Sequence, residues 1–212
     1  MEEVFQRLLA RYGPQAWWPG DGPFEVMVGA ILTQATSWKN VEKAIANLKE
    51  ASALTAVRLR QIPEAELAGL IHPCLYYNVK ARKLKALVQR LETYGDSLPS
   101  LFSRGIADLR QELLSIYGVG EETAYSIILY AAGKPVFVID AYTRRILERL
   151  GLAQGKESYA QLQALFHDNL APDVRLFNEY HALLVRLGKE VCRPTPRCSV
   201  CPLRDICSTG EG

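Results

Sequence analysis

Four cysteines crowd the last 21 residues of the chain, Cys192, Cys198, Cys201 and Cys207, in the spacing C-x5-C-x2-C-x5-C. Thiolates this close can bind zinc or an iron–sulfur cluster. Structural zinc usually draws on two C-x2-C-like pairs separated by a longer loop. Here one such pair is flanked by a single cysteine on each side, which suits wrapping around a cubane better. A disulfide framework would spread across a small secreted chain, so this clustering also points to a reducing compartment. Arg193, Arg197 and Arg204 lie inside the loop, where a bound group could hold them as cations against a polyanion.

A second candidate is the segment LLSIYGVGEETA, residues 113–124. Its tripeptide Gly118-Val119-Gly120 separates two helical patterns. Glycines let a backbone turn tightly and approach a ligand, and the N-terminus of the next helix suits a phosphate. A plain helix–helix turn would use the same residues. Asp140 comes 20 residues after Gly120, between the apolar run Val136-Phe137-Val138-Ile139 and the helical pattern AYTRRILERL. That is an N-cap position. A capping carboxylate bonded to backbone N–H groups stays ionised and can stabilise a developing cation. All three tryptophans, Trp17, Trp18 and Trp38, fall in the first 40 residues. They are either packing residues or a stacking pocket for a flat ligand, because tryptophan offers the most electron-rich face to a cation.

The elements that must position these groups are helical in pattern. Apolar residues recur at spacings of three and four in residues 26–32, 41–48, 81–91, 109–116, 123–132, 142–150 and 159–170, and glycine and proline turn signals separate them. Only residues 136–139 resemble a strand. An all-α architecture follows. No run approaches the length of a membrane helix, and the amphipathic, charged N-terminus is unlike a signal peptide. The expectation is a cytoplasmic monomer with no membrane partner. The net charge of +2 means that a polyanionic partner would have to meet a local basic face. Lys80, Arg82, Lys83 and Lys85 at one helix start are the candidates, unless they are only a solvated helix surface. Cys74 stands apart from the other cysteines and is expected to be buried and free.

Taken together, these features resemble the helix-hairpin-helix DNA glycosylases of the endonuclease III superfamily. The matching residues are Leu32-Thr33-Gln34-Ala35-Thr36, Tyr77-Asn78-Val79-Lys80-Ala81, the hairpin with Thr123-Ala124, the Ile139-Asp140 step and the cysteine loop. The resemblance implies two helical lobes. One is a six-helix barrel over residues 21–133. The other joins residues 1–20 to 134–212 and carries a [4Fe-4S] cluster on Cys192, Cys198, Cys201 and Cys207, with a base pocket in the cleft between the lobes. It also implies that Gly118, Val119 and Gly120 hold a phosphate of double-stranded DNA containing a damaged base, with a monovalent cation on the hairpin carbonyls. Gln34, Leu75 and Tyr76 would probe the gap and wedge the duplex as a nucleotide is flipped out, and Lys80 belongs with this DNA-binding group.

In bifunctional members of the family a lysine stands two residues after the second hairpin glycine and forms a Schiff base with the sugar. Here that position is Glu122, and a carboxylate forms no imine. The resemblance therefore implies a monofunctional enzyme, with Asp140 as the catalytic carboxylate and Glu122 as either a catalytic or base-recognising group or simply a helix N-terminal acid. Adenine-mismatch members carry a glutamate where this chain has Gly29. The stretch Ala16-Trp17-Trp18-Pro19 and the residue Trp38 look most like the 3-methyladenine DNA glycosylases, whose cationic substrate suits an aromatic pocket of Trp17, Trp18, Pro19 and Trp38. Two departures stand out. The first cysteine gap is one residue shorter than the usual endonuclease III pattern, and familiar alkyl-adenine members lack the cysteine loop. The alternatives are a glycosylase for oxidised pyrimidines or mismatched thymine or uracil, and a non-catalytic protein that binds damaged DNA or senses redox state.

Overall fold

The computed structural model describes residues 1–17 and 20–210. Its regular elements are helices: α1 (Glu2–Tyr12), α2 (Pro23–Leu32), α3 (Trp38–Glu50), α4 (Ala56–Gln61), α5 (Glu64–Leu70), α6 (Tyr77–Glu92), α7 (Leu98–Phe102), α8 (Ile106–Leu114), α9 (Glu121–Ser126), α10 (Ala141–Arg149), α11 (Tyr159–His167) and α12 (Val174–Glu190). α9 runs on into a π-helical turn, Ile127–Ala131, and two 3-10 turns, Cys198–Val200 and Arg204–Ile206, shape the C-terminal loop. No strand occurs among the described residues. The chain divides into two compact units, Pro19–Lys134 and Met1–Trp18 with Pro135–Gly212.

In the unit of residues 19–134, α6 is the central element, packed against α2, α4 and α5. Its buried face is Ala81, Leu84, Leu87, Val88 and Leu91, the three-and-four spacing of one helix stripe. Charged groups fasten the loops around it. Arg60 pairs with Asp96, and Lys85 donates to the carbonyls of Arg60 and Ile62. Arg90 pairs with Glu112 on α8. Cys74 is buried, with Sγ 3.7 Å from the Asn40 carbonyl.

In the other unit α12 packs against both α1 and α10. At 17 residues it is the longest helix, yet it lies outside the stretches picked out by periodicity. Val174, Phe177, Tyr180, Leu184 and Leu187 nevertheless recur at spacings of three and four, and because the helix is covered from two sides its buried residues run almost without a break from Tyr180 to Gly188. Tyr180 is fully buried, and its hydroxyl donates to the Met1 carbonyl at 2.9 Å.

The strand-like residues 136–139 are extended and buried but have no partner strand. Side chains satisfy their backbone instead. The Phe137 N–H donates to His167 Nε2 at 3.0 Å, the Phe137 carbonyl accepts from Gln163 at 2.6 Å, and the Ile139 N–H donates to the Tyr159 hydroxyl at 2.9 Å. Burial holds His167 below its ordinary value, which keeps Nε2 available as an acceptor. Three bonds thus replace a β-ladder and deliver the chain to Asp140 in a fixed direction.

Candidate functional site

Two clusters of the expected residues form, one within each unit. In the unit of residues 19–134 the first is built around the hairpin. Gly118 adopts φ +81°, a left-handed conformation that glycine takes without strain. Val119 is buried and anchors the turn, its N–H donating to Ile116 O at 3.1 Å. Gly120 is extended and caps α9, accepting from the Ala124 N–H at 2.9 Å. A β-carbon at Gly118 would meet the stem of Lys83, whereas one at Gly120 would meet nothing within 4 Å. Only the first glycine is required by the turn; the second stands beside open space.

Gln34 is bonded into this hairpin. Its amide donates to the Gly118 carbonyl at 3.0 Å and to the Thr123 hydroxyl at 2.9 Å, while its Oε1 accepts from Lys83 Nζ at 2.5 Å. The structure therefore brings Gln34, Gly118, Thr123 and Lys83 together from α2's end, the hairpin, α9 and α6. Glu121 pairs with Arg110 at 2.6 Å, and Glu122 is exposed on the first turn of α9.

Lys80, expected on a DNA-facing surface, is turned inward. It is 2% exposed, and its ammonium donates to the Leu32 carbonyl at 2.8 Å and the Thr36 hydroxyl at 2.5 Å. Burial pushes its pKa down. The physical reason is helix register: Lys80 shares the stripe of Ala81, Leu84 and Leu87 that faces α2, and its ammonium satisfies carbonyl and hydroxyl oxygens at α2's C-terminal end. Arg82 is the exposed cation of that group, while Lys83 and Lys85 are partly covered.

Leu75 and Tyr76 are 59% and 70% exposed. Tyr76 has φ +56°, a strained conformation for a bulky residue. Apolar side chains are thus held out from the start of α6. Trp38 is half-buried at the start of α3.

The second cluster lies in the unit formed by the two ends of the chain. Asp140 caps α10, with Oδ1 accepting the Thr143 N–H at 2.7 Å. Its Oδ2 lies 3.6 Å from Nε2 of His181 on α12. Trp17 stacks on the His181 ring, with centroids 5.7 Å apart and 26° between planes. Burial pushes the Asp140 carboxyl up, but contact with His181, its charge and Thr143 together outweigh that, and the net displacement is below the ordinary aspartate value. A carboxylate ionised under such cover is equipped to stabilise positive charge. Trp18 and Pro19 lie outside the described residues.

His181 was missing from the residues selected by sequence. The signal available was weak: it is one of three histidines, set in the apolar run YHALL, where a satisfied core histidine is the ordinary outcome.

The cysteine loop follows α12. Cys192 is buried, and the other three are partly covered. Arg149 ties the loop together. Its guanidinium donates to Cys192 Sγ at 3.3 Å and to the carbonyls of Arg193 and Pro194, while its own carbonyl accepts from Cys207 Sγ at 3.2 Å and from the Thr209 hydroxyl. Burial pushes the Cys201 thiol up, against an opposing pull from the Leu203 backbone, and charge on Cys192, Cys207 and Cys198 adds to the rise. Among the described residues no three His, Cys, Asp or Glu side chains converge on a single metal ion. Four cysteine thiolates are donors that suit either zinc or an iron–sulfur cluster.

Comparison with known proteins decides the family. Residues 28–172 match the HhH-GPD superfamily of base excision DNA repair proteins. The chain belongs to that superfamily. A relative from Methanocaldococcus jannaschii, provisionally named a DNA repair glycosylase, is 44% identical over 207 residues, covering 97% of this chain and 94% of its own. Endonuclease III of Thermotoga maritima is 29% identical, with 98% and 92% covered. Among solved structures, the H. pylori 3-methyladenine DNA glycosylase bound to 1,N6-ethenoadenine is 28% identical, covers 89% of this chain and 96% of its own, and superposes with a TM-score of 0.75. The hairpin and Asp140 both lie inside the residues matched to the HhH-GPD superfamily; the cysteine loop lies beyond them. No helix among the described residues is long and apolar enough to cross a membrane.

Proposed function

We propose that this HhH-GPD DNA N-glycosylase is monofunctional and removes an alkylated, cationic purine of the 3-methyladenine type from double-stranded DNA. Glu122 carries the first half of the proposal. It occupies the second helical position after Gly120, where bifunctional relatives place the lysine that forms an imine, and a carboxylate has no amine to offer. Hydrolysis then falls to Asp140, whose ionised form opposes the positive charge that develops on the sugar as the glycosidic bond breaks. Protonation of the leaving base adds little when the ring is already cationic, so a single carboxylate suffices.

The hairpin residues Gly118, Val119 and Gly120 are assigned to a DNA phosphate, with a monovalent cation on the carbonyls. Leu75 and Tyr76 are assigned to the wedge, and Gln34 to the gap left by the flipped nucleotide. Trp17, Trp18, Pro19 and Trp38 are assigned to the base, which tryptophan faces select by cation–π attraction. Likeness to a 3-methyladenine DNA glycosylase structure supports this substrate class. Cys192, Cys198, Cys201 and Cys207 would hold a [4Fe-4S] cluster that ties down the loop and presents Arg193, Arg197 and Arg204, all exposed, to the DNA backbone.

The test is base release from methylated duplex DNA, resolved by chromatography, with strand breaks scored before and after alkali. Release of 3-methyladenine with breaks only after alkali is expected. Breaks without alkali would overturn the monofunctional assignment. Release only from oxidised pyrimidines or from thymine or uracil mismatches would replace the substrate class. Asp140→Asn should bind DNA and release no base; retention of the biological role by that variant would instead favour a binding-only protein.

A further inference from the structure

We propose that His181 is a positioning residue for base excision, holding the Asp140 carboxylate in one orientation, with Trp17 as the wall that fixes the imidazole plane. The proposal rests on the assignment of Asp140 as the catalytic carboxylate. Both carboxylate oxygens are engaged: Oδ1 by the Thr143 N–H at 2.7 Å, Oδ2 by His181 Nε2 at 3.6 Å. One anchor alone leaves a carboxylate free to turn about χ2; two on different helices do not. The second distance is longer than a hydrogen bond, and catalytic contacts are often long before substrate is bound.

The imidazole has little freedom of its own. The His181 side chain is 5% exposed, Trp17 covers its face, and the ring edge meets Phe137 at 6.3 Å and 90°. Packing alone would be served by leucine or phenylalanine, and burying a polar ring costs free energy unless it finds a partner. The neighbouring charged and titratable groups are directed elsewhere. Arg145 on α10 donates to the carbonyls of Cys192 and Gly188, and Glu179 accepts from the Gln15 N–H. Arg186 reaches the Tyr12 carbonyl and Glu190, and the Tyr180 hydroxyl reaches Met1. The Asp140 carboxylate lies 3.6 Å from the His181 ring.

The histidine thereby connects two features that the sequence presents separately, an aromatic residue near the N-terminus and an aspartate in the middle of the chain. Loss of the stack should let the imidazole rotate, and loss of the imidazole should let Asp140 swing on its single remaining bond.

The experiment compares His181→Phe, which keeps ring volume and the stack on Trp17, with His181→Gln, which restores an N–H donor. Single-turnover excision is expected to fall on the order of a hundred-fold in His181→Phe, with thermal midpoint and DNA affinity unchanged, and to recover in part in His181→Gln. Wild-type excision by His181→Phe overturns the proposal, as do equal losses in both variants accompanied by a fall in thermal midpoint. A second readout needs no substrate. The Asp140 carboxyl, followed by 13C NMR, should titrate at higher pH in His181→Phe than in wild type, and an unchanged titration overturns the proposal. Absence of base release by the wild-type protein would refute the catalytic assignment while the carboxyl titration still decides the role of His181.

Discussion

Lys83 lies across Gly118, so that a β-carbon built on the glycine would come within 2.5 Å of the lysine Cδ. The same lysine reaches on to Gln34, which bonds the Gly118 carbonyl in return. Gly118→Ala therefore meets both a left-handed backbone and a steric overlap, and should cost about 1–2 kcal/mol or more. Gly120→Ala meets neither and should leave the thermal midpoint unchanged. If the open space beside Gly120 is where a phosphate approaches, this second variant should still lose DNA affinity. Denaturation and DNA titration on the two variants separate a folding glycine from a binding glycine.

Lys80 and Arg82 are two residues apart and point to different environments, one buried and one exposed. Lys80→Met should destabilise the protein by about 1–3 kcal/mol, because the Leu32 carbonyl and Thr36 hydroxyl lose their donor. It should leave the salt dependence of DNA binding as it is. Arg82→Ala should do the reverse, lowering the slope of log affinity against log salt by about 0.9 if the side chain meets a phosphate. A shallower salt slope for Lys80→Met would mean that the ammonium turns outward on DNA.

His167 accepts the Phe137 N–H, and burial holds its pKa below the ordinary 6.5. The sign follows from linkage. A histidine depressed in the folded state is neutral in both states well above 6.5 and contributes no pH dependence there. As pH falls below that value, the unfolded chain takes up the proton first, and stability declines until the folded-state pKa is passed. His167→Gln, which keeps an acceptor but does not titrate, should flatten this decline in urea denaturation measured across pH. An equal slope in both proteins would place the acid sensitivity elsewhere.

Arg149 joins the first and last cysteines of the C-terminal loop through its guanidinium and its carbonyl. If a [4Fe-4S] cluster is bound there, the isolated protein should be brown and contain about four iron and four sulfide per chain. Arg149→Met should reduce that content and expose the loop to proteolysis, since two backbone carbonyls and a sulfur lose their donor. Zinc in place of iron, measured by metal analysis, would refute the cluster assignment directly.

The helical class, the hairpin, the capping position of Asp140 and the cysteine spacing were all legible in the sequence, because each depends on local spacing. A glycine pair between two periodic runs, an aspartate before a helical pattern and a C-x2-C step need no knowledge of what lies across the fold. The same locality explains the errors. Lys80 sits among Arg82, Lys83 and Lys85 in a run that reads as a basic surface, and only the packing of α6 on α2 decides that its ammonium is buried. α12 carries the three-and-four spacing in Val174, Phe177, Tyr180, Leu184 and Leu187, so its helix is local in origin, and only its cover by α1 and α10 is decided by the tertiary structure.

What the chain encodes by itself, then, is the inventory: which residues could turn, cap, ligate or stack, and in what order. Which of them meet is a matter of contacts between residues far apart in sequence. Trp17, Asp140 and His181 come from the N-terminal segment, the start of α10 and the middle of α12, and no period or spacing links them. Their meeting depends on an extended segment whose backbone is held by His167, Gln163 and Tyr159, and on α12 being packed against α10. Side-chain environments such as the burial of Lys80 and the depressed carboxyl of Asp140 arise from the same source, because desolvation and charge act through space rather than along the chain.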